Sequence, residues 1–255
     1  MGAVAWPVGV SLLTLLAWQL ASVAFQVKTV VLPSPLVIAT VMVRQSDLLL
    51  HHLWPTLYQT VLGFLLSVAG GIVVAVLITY SRIVRNGFYP LIVISQIVPK
   101  ISVAPLFVIW FGMGNTSRLL LAFLVAFFPM AINAAAGFQS VDEDYLKMAR
   151  AYMGSRAQIF AKIRLPHAMP YIFSGMKISI TLAIIGVVVA EFVASQEGIG
   201  YLIVFANGLL DTPLMMAAIT VLSVMGLALY GAIVAVERMV VYWQTPEDRT
   251  IDGTA

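Results

Sequence analysis

Residues 56–80 read TLYQTVLGFLLSVAGGIVVAVLITY, and no Asp, Glu, Lys or Arg interrupts them. About 20 apolar helical residues cross the hydrocarbon core of a bilayer. Five further stretches qualify: Val4–Phe25, Phe88–Phe111, Ser117–Phe138, Ile172–Ala194 and Pro213–Val236. These runs are too long for strands, and no ten-residue alternation of a membrane β-barrel is present. The expected fold class is an all-α membrane protein with six transmembrane helices. Composition agrees, with 61% hydrophobic residues, 10% charged residues and a mean hydropathy of +1.00. A soluble domain carries about 25% charged residues, so here the bilayer acts as solvent for most of the chain. Ala21-Ser22-Val23-Ala24 resembles a signal-peptidase site. No Lys or Arg precedes the run, however, and it outlasts a signal core of about 7–15 residues, so a retained first helix is expected.

The basic residues set the expected topology. With a cytoplasmic N-terminus, nine of them (Arg82, Arg85, Lys147, Arg150, Arg156, Lys162, Arg164, Arg238 and Arg249) lie inside and three (Lys28, Arg44 and Arg118) outside. That arrangement obeys the positive-inside rule and places both termini in the cytoplasm. The net charge of +3 thus speaks to topology and not to nucleic acid. The whole of 1–255 reads as a single transmembrane domain, with a core region of about 56–243. Two connections are long. The outer one, 26–55, opens with Leu32-Pro33-Ser34-Pro35, and 36–54 reads as a helix on the membrane surface, with His51 and His52 at headgroup level.

The inner connection, 139–171, is cytoplasmic in this topology. Ser140 and Glu143 have the spacing of a capping box, and Asp142, Glu143 and Asp144 suit the positive end of a helix dipole. Tyr145, Ala149, Tyr152 and Met153 recur as one apolar face. Gly154-Ser155 breaks the helix, Ile159, Phe160 and Ile163 resume the pattern, and Leu165-Pro166 ends it. Two readings stand: an interfacial helix pair on anionic headgroups, or a knob that docks in the groove of a cytoplasmic partner.

Several chemistries are excluded by residue type. Cysteine is absent, and His51, His52 and His167 are the only histidines and form no HExxH, so neither a metal nor a catalytic site is expected. No G-x-x-x-x-G-K-[ST] loop is present to hold ATP. Lys100 and Glu191 are the intramembrane anomalies, since a charge at mid-span costs roughly 2.5–3.5 kcal/mol on insertion scales. Lys100 follows Pro99 and precedes Pro105, a pair that permits a kink. Lys100 either snorkels to the cytoplasmic interface or meets an anionic solute or Glu191. Glu191 either faces the pathway or bonds the Gly198–Gly200 turn. Asn133 is a further polar group at span depth, and Gly63, Gly70 and Gly71 suit close helix packing. A stand-alone secondary transporter or channel is the alternative class, although no inverted repeat supports it.

Ala149-Arg150, Ser155-Arg156, Gln158, Phe160, Ile163 and Leu165-Pro166 resemble the EAA loop of ABC-importer permeases. Aligned without gaps from Pro166, the Glu of that pattern falls on Lys147, its first Ala on Met148 and its Gly on Met153, one residue before Gly154. Leu32-Pro33-Ser34-Pro35, Val98-Pro99-Lys100 through Ala104-Pro105-Leu106, Trp110-Phe111-Gly112, and Glu191 with Gly198-Ile199-Gly200-Tyr201 resemble the nitrate/taurine/aliphatic-sulfonate branch. The resemblance implies a type I ABC-importer permease fold in a bacterial inner membrane. It implies a homodimer, two cytoplasmic ATPase subunits that carry ATP and Mg, and an extracytoplasmic binding protein. This chain itself then binds no cofactor and is not an enzyme. It also implies that Ala149, Arg150, Ala151, Tyr152, Met153, Gly154, Ser155 and Arg156 couple to the ATPase. Pro99, Lys100, Glu191 and Asn133 then border a pathway for a small anionic or heterocyclic solute.

Overall fold

A computed structural model describes residues 2–243. Among them, every regular element is helical. In chain order these are α1 (Gly2–Ala24), α2 (Pro35–Arg44), α3 (Ser46–Tyr80), α4 (Arg82–Ser95), a 3-10 turn (Lys100–Val103) running into α5 (Ala104–Phe111), α6 (Asn115–Gln139) and α7 (Glu143–Ala151). Then come α8 (Arg156–Ile159), a π-helical turn (Phe160–Arg164), α9 (Leu165–Ala194), α10 (Ile199–Gly208) and α11 (Thr212–Val240). Four of the described helices are long and apolar enough to cross a membrane: Ser46–Tyr80, Asn115–Gln139, Arg156–Ala194 and Thr212–Val240.

The third expected span is not one helix. It is α4 and the Lys100–Phe111 segment joined at an 86° bend. Pro99 has no N–H to give, and it disfavours helical geometry at Val98, so the hydrogen-bond ladder fails at that point. As one broken span the pair makes a fifth crossing. The first span appears as α1, whose described apolar part is the shorter Val8–Ala24.

The core is the α3–α6–α9 trio, and small residues make it possible. A Cβ on Gly63 would lie 2.7 Å from Ala122 Cβ, and one on Gly71 would lie 2.7 Å from Met130 Cγ. Matching positions therefore advance together along α3 and α6, so the two helices run parallel. On α9 the order reverses: Gly186 meets Ala122, Gly175 meets Met130 and Asn133, and Ala168 meets Gly137. Ser67 Oγ donates to Phe123 O at 3.1 Å and Ser179 Oγ to Ala126 O at 2.8 Å, which stitches the trio across its seams. The 139–171 connection consequently sits at one end of the trio, where α3 and α6 finish and α9 starts. We call this the loop end, and the opposite one the far end.

Two local expectations are corrected. Residues 36–54 are not one surface helix: α2 stops at Arg44, and α3 starts at Ser46 and runs unbroken through Pro55 into the span. His52 is buried, while His51 is exposed. The Ser140–Glu143 capping box does not form either. Asp142 caps α7 instead, accepting from Asp144 N at 2.8 Å, while Ser140 Oγ turns back to Gly137 O.

Candidate functional site

At the loop end, α7 finishes in a Schellman motif. Gly154 N donates to Ala149 O at 3.0 Å and Met153 N to Arg150 O at 2.9 Å. This geometry needs a left-handed residue between them, and Met153 supplies it with φ = 61°. That is the position which aligns with the glycine of the pattern described above. The following turn is locked by a true capping box, with Gln158 N donating to Ser155 Oγ at 3.2 Å and Ser155 N to Gln158 Oε1 at 2.8 Å. Val141, Leu146 and Ile159 form a small core beneath the corner, with Ala149 and Ile163 packed against it. Ala149 thus faces inward, and the expected single apolar face divides. Tyr145, Met148, Tyr152 and Met153 point out, the last two 83% and 91% exposed. Arg150, Ala151 and Arg156 are exposed around them.

The corner is anchored to the trio. Phe160 lies 5.4 Å from the Phe138 ring and 6.1 Å from that of Tyr80, so α6 and α3 end on the same side chain. Arg164 donates to Phe138 O at 2.5 Å and sits 5.9 Å from the Tyr80 ring. Its guanidinium thereby satisfies a carbonyl that the end of α6 leaves free.

Lys100 lies at the bend of the broken span, half-buried, with Nζ 4.9 Å from the centroid of Phe128. Phe128 is halfway along α6, so the Lys100 ammonium lies beside the middle of that helix. No carboxylate pairs with Lys100 among the described residues, so the expected ion pair with Glu191 is not formed. Pro99 is exposed beside it. Asn133 is not brought to this point: five residues further along α6, about 140° round the axis, it faces Gly175 and donates to Pro129 O at 2.8 Å.

The far end holds a buried polar network. Glu191 is 1% exposed. Its Oε1 accepts from Thr56 Oγ1 at 2.8 Å and its Oε2 from Gly200 N at 2.7 Å. Thr56 Oγ1 accepts in turn from Ile199 N at 2.8 Å, and His52 Nδ1 accepts from Gly198 N at 3.2 Å. Gly198 has φ = 104°, and a Cβ there would overlap the Glu191 carboxylate. Of the two alternatives, Glu191 bonds the turn. Arg118, counted among the basic residues of the outer segments, is 4% exposed. All five of its N–H groups are used, on Gly114 O, Ser195 Oγ, Glu197 O, Asn115 Oδ1 and Glu197 Oε1, the last at 2.9 Å.

Residues 67–242 match the family described as binding-protein-dependent transport system inner membrane component. The chain belongs to that family. This permease is 34% identical to the riboflavin transport system permease protein RibX of Chloroflexus aurantiacus, over 91% of this chain and 88% of the relative. It is 32% identical to the putative aliphatic sulfonates transport permease protein SsuC of Bacillus subtilis, over 89% and 83%. Its fold is similar to that of a chain in the inward-facing MetNI methionine ABC transporter, with a TM-score of 0.66 at 18% identity, covering 77% of this chain and 98% of that one. The protein is thus the non-catalytic, membrane-spanning permease subunit of an ABC importer, which implies ATPase and substrate-binding partners.

In this permease, residue pattern alone pointed to Met153, Lys100 and Glu191 and offered the Gly198–Gly200 turn for Glu191, but it missed Thr56 and Phe128. A sequence signal for Arg118 did exist: it stands at the edge of an apolar run and has no nearby acid in the chain. Glu197, 79 positions away, emerges only once α6 and α9 are packed. Lys177 was likewise a lone cation within a span, and it pairs with Glu237 of α11 at 3.0 Å.

Proposed function

We propose that this permease works as a homodimer whose two 139–171 loops are each gripped by one ATPase subunit, with ATP and Mg held on the ATPase. Ala149–Arg156 form the grip. Tyr152 and Met153 supply an apolar tip, Arg150 and Arg156 a basic rim, and the Phe138–Phe160–Tyr80 contact a rigid root. The single observation that carries this reading is the fully exposed Tyr152–Met153 corner, held by two interlocked caps and built onto the helix that becomes α9. An exposed aromatic and a methionine on so stiff a turn fit a groove on a partner. The charge distribution puts this loop and both termini in the cytoplasm.

The solute path runs past the broken span, with Pro99 and Lys100 at its wall. An unpaired ammonium at mid-depth suits a small anionic or heterocyclic solute delivered by the binding protein. The polar atoms of Asn133 and Glu191 are engaged within the bundle, so in this reading neither contacts the solute. In detergent-solubilised complex, Tyr152→Asp and Met153→Asp should each cut co-purification of the ATPase by roughly tenfold, as expected when an anchor side chain is lost, while membrane insertion is unchanged. Full retention of the ATPase by both variants would refute the grip.

A further inference from the structure

The far-end network joins four elements through one turn. Residues 195–198 leave α9 and enter α10, and side chains from α3, α6 and α9 hold that turn and the first residues of α10. Arg118 of α6 holds Ser195 and Glu197; His52 and Thr56 of α3 hold the amides of Gly198 and Ile199; Glu191 of α9 holds the amide of Gly200. Two of the groups are ionisable side chains no more than 4% exposed, in a chain where charges are scarce. Neither is placed to touch a solute: Arg118 has no free N–H, and both Glu191 oxygens are engaged. Buried groups of this kind are tolerated when fully satisfied, and they then specify one arrangement.

We propose that Arg118 and Glu191 are positioning residues of the transport cycle: their clasp locks the α9–α10 turn to α3 and α6, so that motion imposed at the loop end arrives at α10 as rigid-body movement. This rests on the coupling reading above. α9 is the mechanical link, because the corner that carries Tyr152 continues into it and the clasp holds its other end. Without the clasp, the 195–198 turn, with its positive-φ glycine, is the hinge where that movement would be lost.

The chemistry separates geometry from charge. In Glu191→Gln, the amide oxygen still accepts from Gly200 N, and the amide nitrogen donates to Thr56 Oγ1, whose own proton turns to His52 O, now 3.3 Å away. Glu191→Ala leaves Gly200 N unpaired. Arg118→Lys keeps the charge but has three donors in place of five.

The test uses the complete transporter in detergent. Leu209→Cys, on the exposed end of α10, places a unique thiol on a chain that has none. Its rate of labelling by a maleimide is read without nucleotide and after trapping with ATP and vanadate. The parent should show an ATP-dependent change in rate. Glu191→Ala and Arg118→Lys should shrink that change by roughly threefold or more, the size of a modest coupling energy. Co-purified ATPase and basal hydrolysis should hold, and Glu191→Gln should restore the parental response. The proposal falls if the response survives in both disruptive variants, if Glu191→Gln abolishes it, or if hydrolysis and assembly decline in step with it. No ATP-dependent change in the parent would instead strike the coupling reading itself.

Discussion

Met153 and Lys100 each occupy a place that ordinary residue preferences argue against. A non-glycine residue in the left-handed region costs about 1 kcal/mol or more, yet Met153 holds φ = 61° and carries its side chain into the open. The glycine that the turn would accept most easily has moved one position on, and an apolar side chain has gained the tip. Lys100 shows the converse economy: a cation kept over an aromatic face beside the middle of α6, with no acid to neutralise it among the described residues. A lysine needed only for packing would tolerate a shorter apolar side chain; one that meets solute would not. Lys100→Ala should reduce uptake of the solute carried by the binding protein by roughly tenfold, the scale of one lost charged contact. Lys100→Arg should retain much of the activity, and expression should hold in both. Normal uptake by Lys100→Ala would remove Lys100 from the path.

At the scale of helices, much was legible because the hydrophobic pattern reports directly on membrane crossing. The runs around α3, α6, α9 and α11 are long, poor in charge and bounded, and the corresponding helices appear where those runs lie. What was not legible depended on competition between neighbours. The 3.6-residue pattern of Phe88–Phe111 gives no account of a chain that must travel the length of the bundle between two parallel helices, α3 and α6. It does so as a bent pair around Pro99. Likewise, Ser140 was the expected cap of α7, and Asp142 takes that place, with Val141 and Leu146 packed beside it in the small core of the corner. The close α6–α9 seam yields a test at this level. A Cβ on Gly186 would sit 2.8 Å from Ala122 Cα, a backbone atom with no room to move, whereas one on Gly231 of α11 would meet nothing within 4 Å. The same substitution should therefore act oppositely. Gly186→Ala should lower the thermal unfolding temperature, in line with an overpacking penalty of about 1–3 kcal/mol. Gly231→Ala should hold or raise it. Equal behaviour of the two would mean that α6 and α9 do not approach as closely as described.

On the scale of the whole molecule, the close-packed α3–α6–α9 trio carries the exposed Tyr152–Met153 corner at one end and the buried polar clasp at the other, flanked by the broken span and by α11. The broken corner was foreseeable from sequence, since a short amphipathic stretch with basic residues and a central break is a local feature. The clasp was not. Its pairs join positions 56 with 191, 118 with 197 and 52 with 198, and side chains so distant in the chain announce nothing to one another. Residue types narrowed the candidates, and packing assigned their partners. The account's central claim is that the motor seizes the Tyr152–Met153 corner. Because the chain lacks cysteine, Met153→Cys gives it a single reactive thiol. A short bifunctional cross-linker applied to the assembled transporter should join that position to the ATPase subunit, and Val224→Cys, on the exposed side of α11, should not be joined. Failure of position 153 to cross-link in a complex that hydrolyses ATP normally would contradict the account.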